Sequence, residues 1–407
     1  MQPTERLHAL DAVRAFALLC GVLLHASLSF LPGLPPFVIS PASDPAKSTG
    51  LAVMFFCIHL FRMTSFFLIA GLFARMMLHR KGTWGFIKNR LLRIVVPLLV
   101  GWPLVMASIL GLWLLGLSLA FHGVAPPKPP AAPATHVLLP FPLTHLWFLY
   151  ILIWLYAAAL LLRGVVAGVI DRRGGLRGRI DALVRGLVGS PLAVLVLGVP
   201  TAAALHLAPV WDMWFGVPTP DSSLIPQPGS IAIFGLAFGL GWLLQRQLDL
   251  LQVLARRWAF HLVLTAALIA GCLALAGVTP QLAPSPDGPR KLAFAALYGM
   301  AIWSSTFTVI GGAVRFLTRA NPAIRYLADA SYWIYLIHLP LVYLLQIAVS
   351  RLDWPAPAKF AAILAVALPL MLASYQLLVR YSFIGRVLNG RRRRPQRGEA
   401  APAPQPA

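Results

Sequence analysis

The chain has 407 residues, of which 59% are hydrophobic and 11% charged, with a mean hydropathy of +0.77. Soluble domains carry about 25% charged residues, so this composition excludes an ordinary soluble protein and indicates a polytopic membrane protein. A formal net charge of +22 would point to nucleic acid in a soluble chain, but the basic residues here follow the loops between apolar segments, and no nucleic-acid partner is expected.

Segments long enough to cross a bilayer, about 20 residues each, fall at 8–30, 51–74, 94–120, 143–163, 190–208, 230–247, 258–278, 292–314, 329–349 and 358–381. This reading gives an all-α single bundle of ten transmembrane helices. Pro103, Pro340 and Pro369 lie inside three of them, where neighbouring helices can satisfy the freed backbone groups. Of the 34 Lys and Arg residues, 26 fall in segments that this count places on one side, and six (Lys47, Lys128, Arg290, Lys291, Arg351 and Lys359) on the other. Arg14 and Arg62 are the two left within spans. The alternation matches the positive-inside rule and places both termini in the cytoplasm. Residues 1–385 then form the transmembrane domain. Residues 386–407 form a basic, then Pro/Ala-rich tail, expected to be disordered and to meet anionic lipid headgroups.

The first segment mimics a signal peptide, with Arg6 ahead of an apolar run and His25-Ala26-Ser27 after it. Asp11 and Arg14 interrupt that run, so it is read as a retained span. Cys20, Cys57 and Cys272 all lie in apolar runs and read as small buried side chains. No disulfide framework, zinc-ligand spacing, Gly-rich phosphate loop or serine nucleophile elbow is present, and no metal is expected.

Arg14 and His25 are eleven residues apart in that first span. Eleven residues make about three helical turns, so the two side chains share a face about 16 Å apart along the axis. His59 and Arg62 lie one turn apart on the second span, at a depth similar to that of His25. A charged group in mid-membrane costs roughly 2.5 kcal/mol or more, and a set of four such residues points to chemistry rather than packing. An imidazole removed from bulk water stays neutral and can accept a proton from a hydroxyl. A guanidinium can hold phosphate or polarise a carbonyl. The inner cluster Arg75, Arg80, Lys81, Lys88, Arg90 and Arg93 suits a phosphate-bearing donor such as coenzyme A.

Four stretches carry a resemblance. LHALDAVRAFALLCGVLLHASLSF, FRMTSFFLIAGLFARMMLHR with NRLLRIVVPLLVG, HLWFLYILIWLY and SYWIYLIHLPLVYLL occur in order along most of the chain. Together they resemble the acyltransferase 3 family of membrane acyltransferases, and look most like its glucan biosynthesis protein C branch, implicated in succinylating periplasmic glucans. The family's hallmark of a basic residue, ten intervening residues and a His falls on Arg14 and His25. Ala70 stands where relatives often carry Ser ahead of the Gly at 71. The resemblance implies His25 as catalytic base and Arg14 as needed for the acyl donor. His59, Arg62, Arg75, Arg90, Arg93, His145, Trp147, Tyr335 and His338 are candidate donor- or substrate-binding residues. His145 and Trp147 are expected at the outer surface, where a sugar acceptor arrives, and Trp211, Asp212 and Trp214 form an outer aromatic–acidic patch; the tryptophans read first as interfacial belt anchors and second as faces able to stack on sugar.

The implied function is an O-acyltransferase of a bacterial inner membrane. It would move an acyl group from cytosolic acyl-CoA, a co-substrate rather than a bound cofactor, to a hydroxyl of an extracytoplasmic glycan or similar acceptor. The alternative is a transporter or flippase using the same intramembrane His and Arg as a pathway. The scarcity of carboxylates inside the spans and the lack of a visible repeat count against it.

Overall fold

The computed structural model describes residues 3–122, 139–283 and 286–390, so most of the proline-rich stretch 122–142, including Lys128, and the basic tail from 391 lie outside the described residues. The described chain is helical, with one isolated bridge, Pro140 to Ser223, in place of any strand. In order the helices are α1 (Pro3–Ser27), α2 (Thr49–Arg90), α3 (Val96–Phe121), α4 (Trp147–Val165), α5 (Gly175–Gly189), α6 (Ala193–His206), α7 (Pro228–Leu244), α8 (Leu250–Arg256), α9 (Trp258–Ala276), α10 (Pro289–Phe316), α11 (Pro322–Val349), α12 (Ala356–Ser374) and α13 (Phe383–Leu388). The domain limit expected at 385 falls inside α13.

Local chemistry sets several of these ends. Ser48 caps α2 by accepting from Leu51 N at 3.3 Å. Asn321 caps α11 by accepting from Ala323 N at 2.9 Å and Ile324 N at 3.3 Å, with Pro322 in the first turn. A side-chain oxygen there satisfies amides that lack a helical partner. Pro228 and Pro289 open α7 and α10, where a missing N–H costs nothing.

The span count differs from the ten expected. Among the described residues seven helical stretches are long and apolar enough to cross a membrane, and an eighth is added when α5 and α6, bent by 102°, are taken as one broken span. One of the seven, Thr49–Phe121, runs for 73 residues and contains both the 51–74 and the 94–120 segments. Gly82, at φ 67° and ψ 177°, breaks it, and few residues other than glycine adopt that backbone. The chain then folds back: Arg90 reaches Met77 Sδ at 2.7 Å, and a β-carbon at Gly116 would lie 2.0 Å from Pro41 O, near the start of α2. The helices at 190–208 and 230–247 are shorter than the sequence pattern indicates, 14 and 17 residues in α6 and α7. Polar and proline-rich flanks trim them below the roughly 20 residues of a straight span.

Loops assigned to the same side by charge contact one another. On the inner side Arg185 pairs with Asp249 at 2.7 Å, Arg246 with Asp181 at 2.5 Å, and Asn389 Nδ2 donates to Asp329 O. On the outer side Lys359 pairs with Asp44, Trp214 Nε1 donates to Gly277 O, and residues 139–144 run antiparallel to 221–224. The Lys359–Asp44 pair is 2.8 Å long and 1% exposed on both sides. It ties the loop before α2 to the start of α12.

Where α2 crosses α7 the backbones touch. A β-carbon at Gly71 would lie 2.0 Å from Phe238 O, and one at Gly241 would lie 1.8 Å from Leu68 O. Small residues allow this approach, a common device of membrane helix pairs. Three π-turns (Leu91–Val95, Val166–Ile170 and Tyr375–Val379) sit at the inner ends of the bundle.

Candidate active site

Small side chains on α1 and α2, among them Ala17, Gly21 and Ala70, leave a cavity of about 940 Å³ inside the bundle. Its inner end is lined by Arg14, Arg80, Lys81, Arg90 and Arg93. Its middle is lined by His25, His59, Arg62, His145 and His338, and its outer end by Thr144, Thr219 and Asp221. The shared face of Arg14 and His25 is therefore the cavity wall. The space extends over the three turns between them, about half of the hydrocarbon thickness.

Three imidazoles form a chain. The His25 and His338 ring centroids are 5.1 Å apart, and those of His338 and His145 are 5.0 Å apart. His338 Nδ1 lies 2.8 Å from Tyr335 O, one turn back, which fixes its N–H on Nδ1 and leaves Nε2 as an acceptor. Tyr335 OH donates to His145 O at 2.7 Å and stands edge-on to the His145 ring. His25 Nδ1 and both ring nitrogens of His145 make no hydrogen bond of normal geometry with the described residues. His59 packs against Phe55, and its Nδ1 lies 3.3 Å from Phe55 O.

Gln346 holds His25 in place from behind. Its Nε2 donates to His25 O at 2.9 Å and Ala26 O at 3.2 Å, and its Oε1 accepts from Ser40 Oγ at 2.9 Å. These carbonyls are among the orphaned acceptors at the end of α1. The sequence reading missed Gln346, because a lone glutamine in an apolar helix carries no signal for a partner some 320 residues away.

The cations differ in their surroundings. Arg14 pairs with Asp11 at 3.1 Å, each side chain about one-third exposed. Arg90 donates to Tyr156 OH at 3.2 Å and lies over the Phe86 ring, and Tyr332 OH donates to Arg93 O. Arg75 is not among the lining residues; its guanidinium lies over the Trp242 ring at 5.8 Å. Arg62 alone stands at the histidines. A β-carbon at Gly21 would lie 2.9 Å from Arg62 Nη1, so the guanidinium occupies the space over that bare backbone, one turn before His25. No carboxylate among the described residues forms an ion pair with Arg62, and its Nε is buried without a partner.

The outer end corrects two expectations. His145 and Trp147 are not on the outer surface; they are 8% and 5% exposed, and Trp147 stacks on Phe234 with centroids 5.4 Å apart. Trp211 and Trp214 are 1% and 2% exposed, and their indole N–H groups donate to Gly216 O and Gly277 O, so they pack the outer loops together and offer no stacking face. The acidic group that reaches the outer end of the cavity is Asp221, in a polar loop with no motif to mark it; Asp329 also lines the cavity.

Searches among curated proteins and among solved structures give no match. A family model described as an acyltransferase domain matches residues 7–376, from the start of α1 to the π-turn after α12. The match encloses every residue lining the cavity except Leu388 and Asn389. This all-helical integral membrane protein is an acyltransferase and belongs to the acyltransferase 3 family.

Proposed function

We propose that the chain is an O-acyltransferase of a bacterial inner membrane, taking an acyl group from cytosolic acyl-CoA to a hydroxyl of an extracytoplasmic glycan or similar acceptor, with succinylation of a periplasmic glucan as one form of it. The observation that carries this reading is the cavity itself. It connects a basic inner end with a cluster of imidazoles around one guanidinium, and continues to a polar outer end. A phosphate-bearing thioester enters past Arg14, Arg80, Lys81, Arg90 and Arg93, and the acceptor hydroxyl meets it beside His25.

His25 is the base. Its ring takes the hydroxyl proton as the acceptor oxygen bonds to the thioester carbonyl carbon. The C=O π pair moves onto oxygen, giving a tetrahedral oxyanion. Collapse of that oxyanion restores C=O, breaks the C–S bond and expels the thiolate, which takes the proton from His25. Two cations divide the remaining work. Arg14, engaged with Asp11 and about 16 Å along the helix from His25, lies too far away to polarise the same carbonyl and serves the charged end of the donor. Arg62, whose guanidinium lies over Gly21 one turn before His25 and which pairs with no carboxylate among the described residues, stabilises the oxyanion in a site of low dielectric. A buried guanidinium without a counter-ion is costly, and developing negative charge on the substrate relieves that cost.

The test is reconstitution of the full chain in vesicles with acyl-CoA on the inner side and glycan on the outer side. Acyl-glycan and free thiol should form in equal amounts. Movement of glycan without any acyl donor would favour a transporter.

A further inference from the structure

The acyl-transfer reading accounts for the inner and middle parts of the cavity but leaves the outer mouth without a role. Residues 139–144 and 221–224 close over it as a short antiparallel clamp: Phe141 N donates to Ser222 O, Leu224 N to Leu139 O, and both Leu143 N and Thr144 N to Asp221 O. Thr144 lies at φ 51°, a left-handed backbone that a β-branched residue rarely adopts. That conformation puts Thr144 on the cavity wall with its Oγ1 buried and without a partner. The next residue, His145, is more than nine-tenths buried and lines the cavity, and neither of its ring nitrogens makes a hydrogen bond of normal geometry with the described residues. Asp221 faces the same space, and Thr219 Oγ1 donates to its Oδ2 at 3.2 Å.

Unpartnered buried polar groups are uncommon and costly. A carboxylate oxygen, a hydroxyl and an imidazole gathered at one mouth match a ligand rich in hydroxyls, which donates to the carboxylate and both donates to and accepts from the others. Charge narrows the class. Asp221 at the entrance repels anions, and Arg62 beyond it repels cations.

We infer that Asp221, Thr144 and His145 form the acceptor subsite, and that it takes an uncharged polyhydroxylated compound of the carbohydrate class, one of whose hydroxyls is passed inward to His25. The inference rests on the acyl-transfer reading and assigns an outer end to it. His338 stands between His145 of the subsite and His25, in two ring-to-ring steps of about 5 Å, so a sugar held at Asp221 extends a hydroxyl along the imidazole chain.

The experiment is calorimetric titration of the full-length protein in detergent with maltoheptaose as the neutral probe, a sulfated maltoheptaose as the charged one, and coenzyme A as an independent probe of the inner end. The wild type should bind maltoheptaose and not its sulfate. Asp221→Asn and the isosteric Thr144→Val should each weaken maltoheptaose by about tenfold, the loss of one hydrogen bond to a charged or buried group, with coenzyme A affinity unchanged. Absence of maltoheptaose binding by the wild type, equal binding of the sulfate, or unaltered binding in both variants overturns the subsite. If coenzyme A still binds in those cases, the acyl-transfer reading survives alone; if it fails to bind the wild type, that reading falls as well.

Discussion

Gly21 and Arg62 face each other across the α1–α2 contact, so that a β-carbon at position 21 would stand 2.9 Å from Arg62 Nη1. The backbone of one helix thus serves as the floor for the cation at the histidine cluster, which pairs with no carboxylate among the described residues. Gly21→Ala should therefore separate folding from activity. Alanine favours a helix over glycine by about 1 kcal/mol, and the atom it meets is the mobile end of a side chain. We expect equal or higher thermal stability with transfer lowered about tenfold, since a misplacement of about 1 Å costs up to 100-fold. Melting curves and thiol release on the same preparation check it; a fully active variant would detach Arg62 from the reaction.

The two cations on the cavity wall should fail differently. Arg62→Ala should lower kcat by roughly 100- to 1,000-fold, as loss of an oxyanion donor does, with little change in KM for acyl-CoA. Arg14→Ala should raise that KM and leave kcat closer to wild type. His25→Ala should lower kcat by roughly 100- to 10,000-fold at normal protein level. Steady-state kinetics resolve the split, and matching profiles for the two arginine variants would contradict the division of labour.

Gln346→Leu should cost about 2–3 kcal/mol of stability. The glutamine is 0% exposed and engages Ser40, His25 O and Ala26 O, and removing it strands buried acceptors. Because those carbonyls end α1 at the base, kcat should fall further than stability explains, and Gln346→Glu, which also loses the amide donor, should behave alike. Chemical denaturation paired with kcat measures both effects.

The outer ion pair offers a test of a different kind. Asp44→Ala leaves Lys359 buried without its counter-ion, holding only the Ser350 carbonyl at 3.3 Å, at a cost of about 3–5 kcal/mol. The double variant Asp44→Leu with Lys359→Met removes both charges and should recover most of that loss. A double variant no more stable than the single one would show that the pair is needed as such.

Burial in the outer mouth pushes the Asp221 carboxyl up from its ordinary value. An acid raised in the folded state contributes stability that is fully present below its unfolded pKa, about 3.9, and is lost as pH rises through the raised folded value. Asp221→Asn should therefore be more thermostable than wild type at neutral pH, with the difference closing as pH falls toward about 4. Thermal denaturation across that range decides it; a less stable variant at neutral pH would mean that the carboxylate is structural.

What the sequence made legible was whatever a local rule controls. Eleven-residue spacing placed Arg14 and His25 on one wall, and alternation of basic loops matched every inter-loop ion pair among the described residues. Other features depended on distance. Asp44 and Lys359 are separated by 315 residues, and nothing local links them. Trp211 and Trp214 show why pattern misleads: an indole near a carboxylate reads the same whether it meets sugar, headgroups or a neighbouring carbonyl. The lengths of α6 and α7 escaped because hydropathy reports apolar extent, while helix ends follow prolines and polar flanks. Asp221 escaped because its chain segment is unremarkable until folded against residues 139–144.

The wide turn at Leu91–Val95 has a further consequence. Each residue of a regular helix advances the wheel by about 100°, and a π-turn accommodates one residue more than its neighbours do. The turn therefore absorbs one residue without turning the helix beyond Val96. Losing a residue between 91 and 95 would let that turn wind regularly and leave Ile109 and Trp113 on the cavity wall, whereas losing one between Val96 and Ile109 would swing both by about 100°. The wide turn is thus the one place on this helix where a change of length is absorbed.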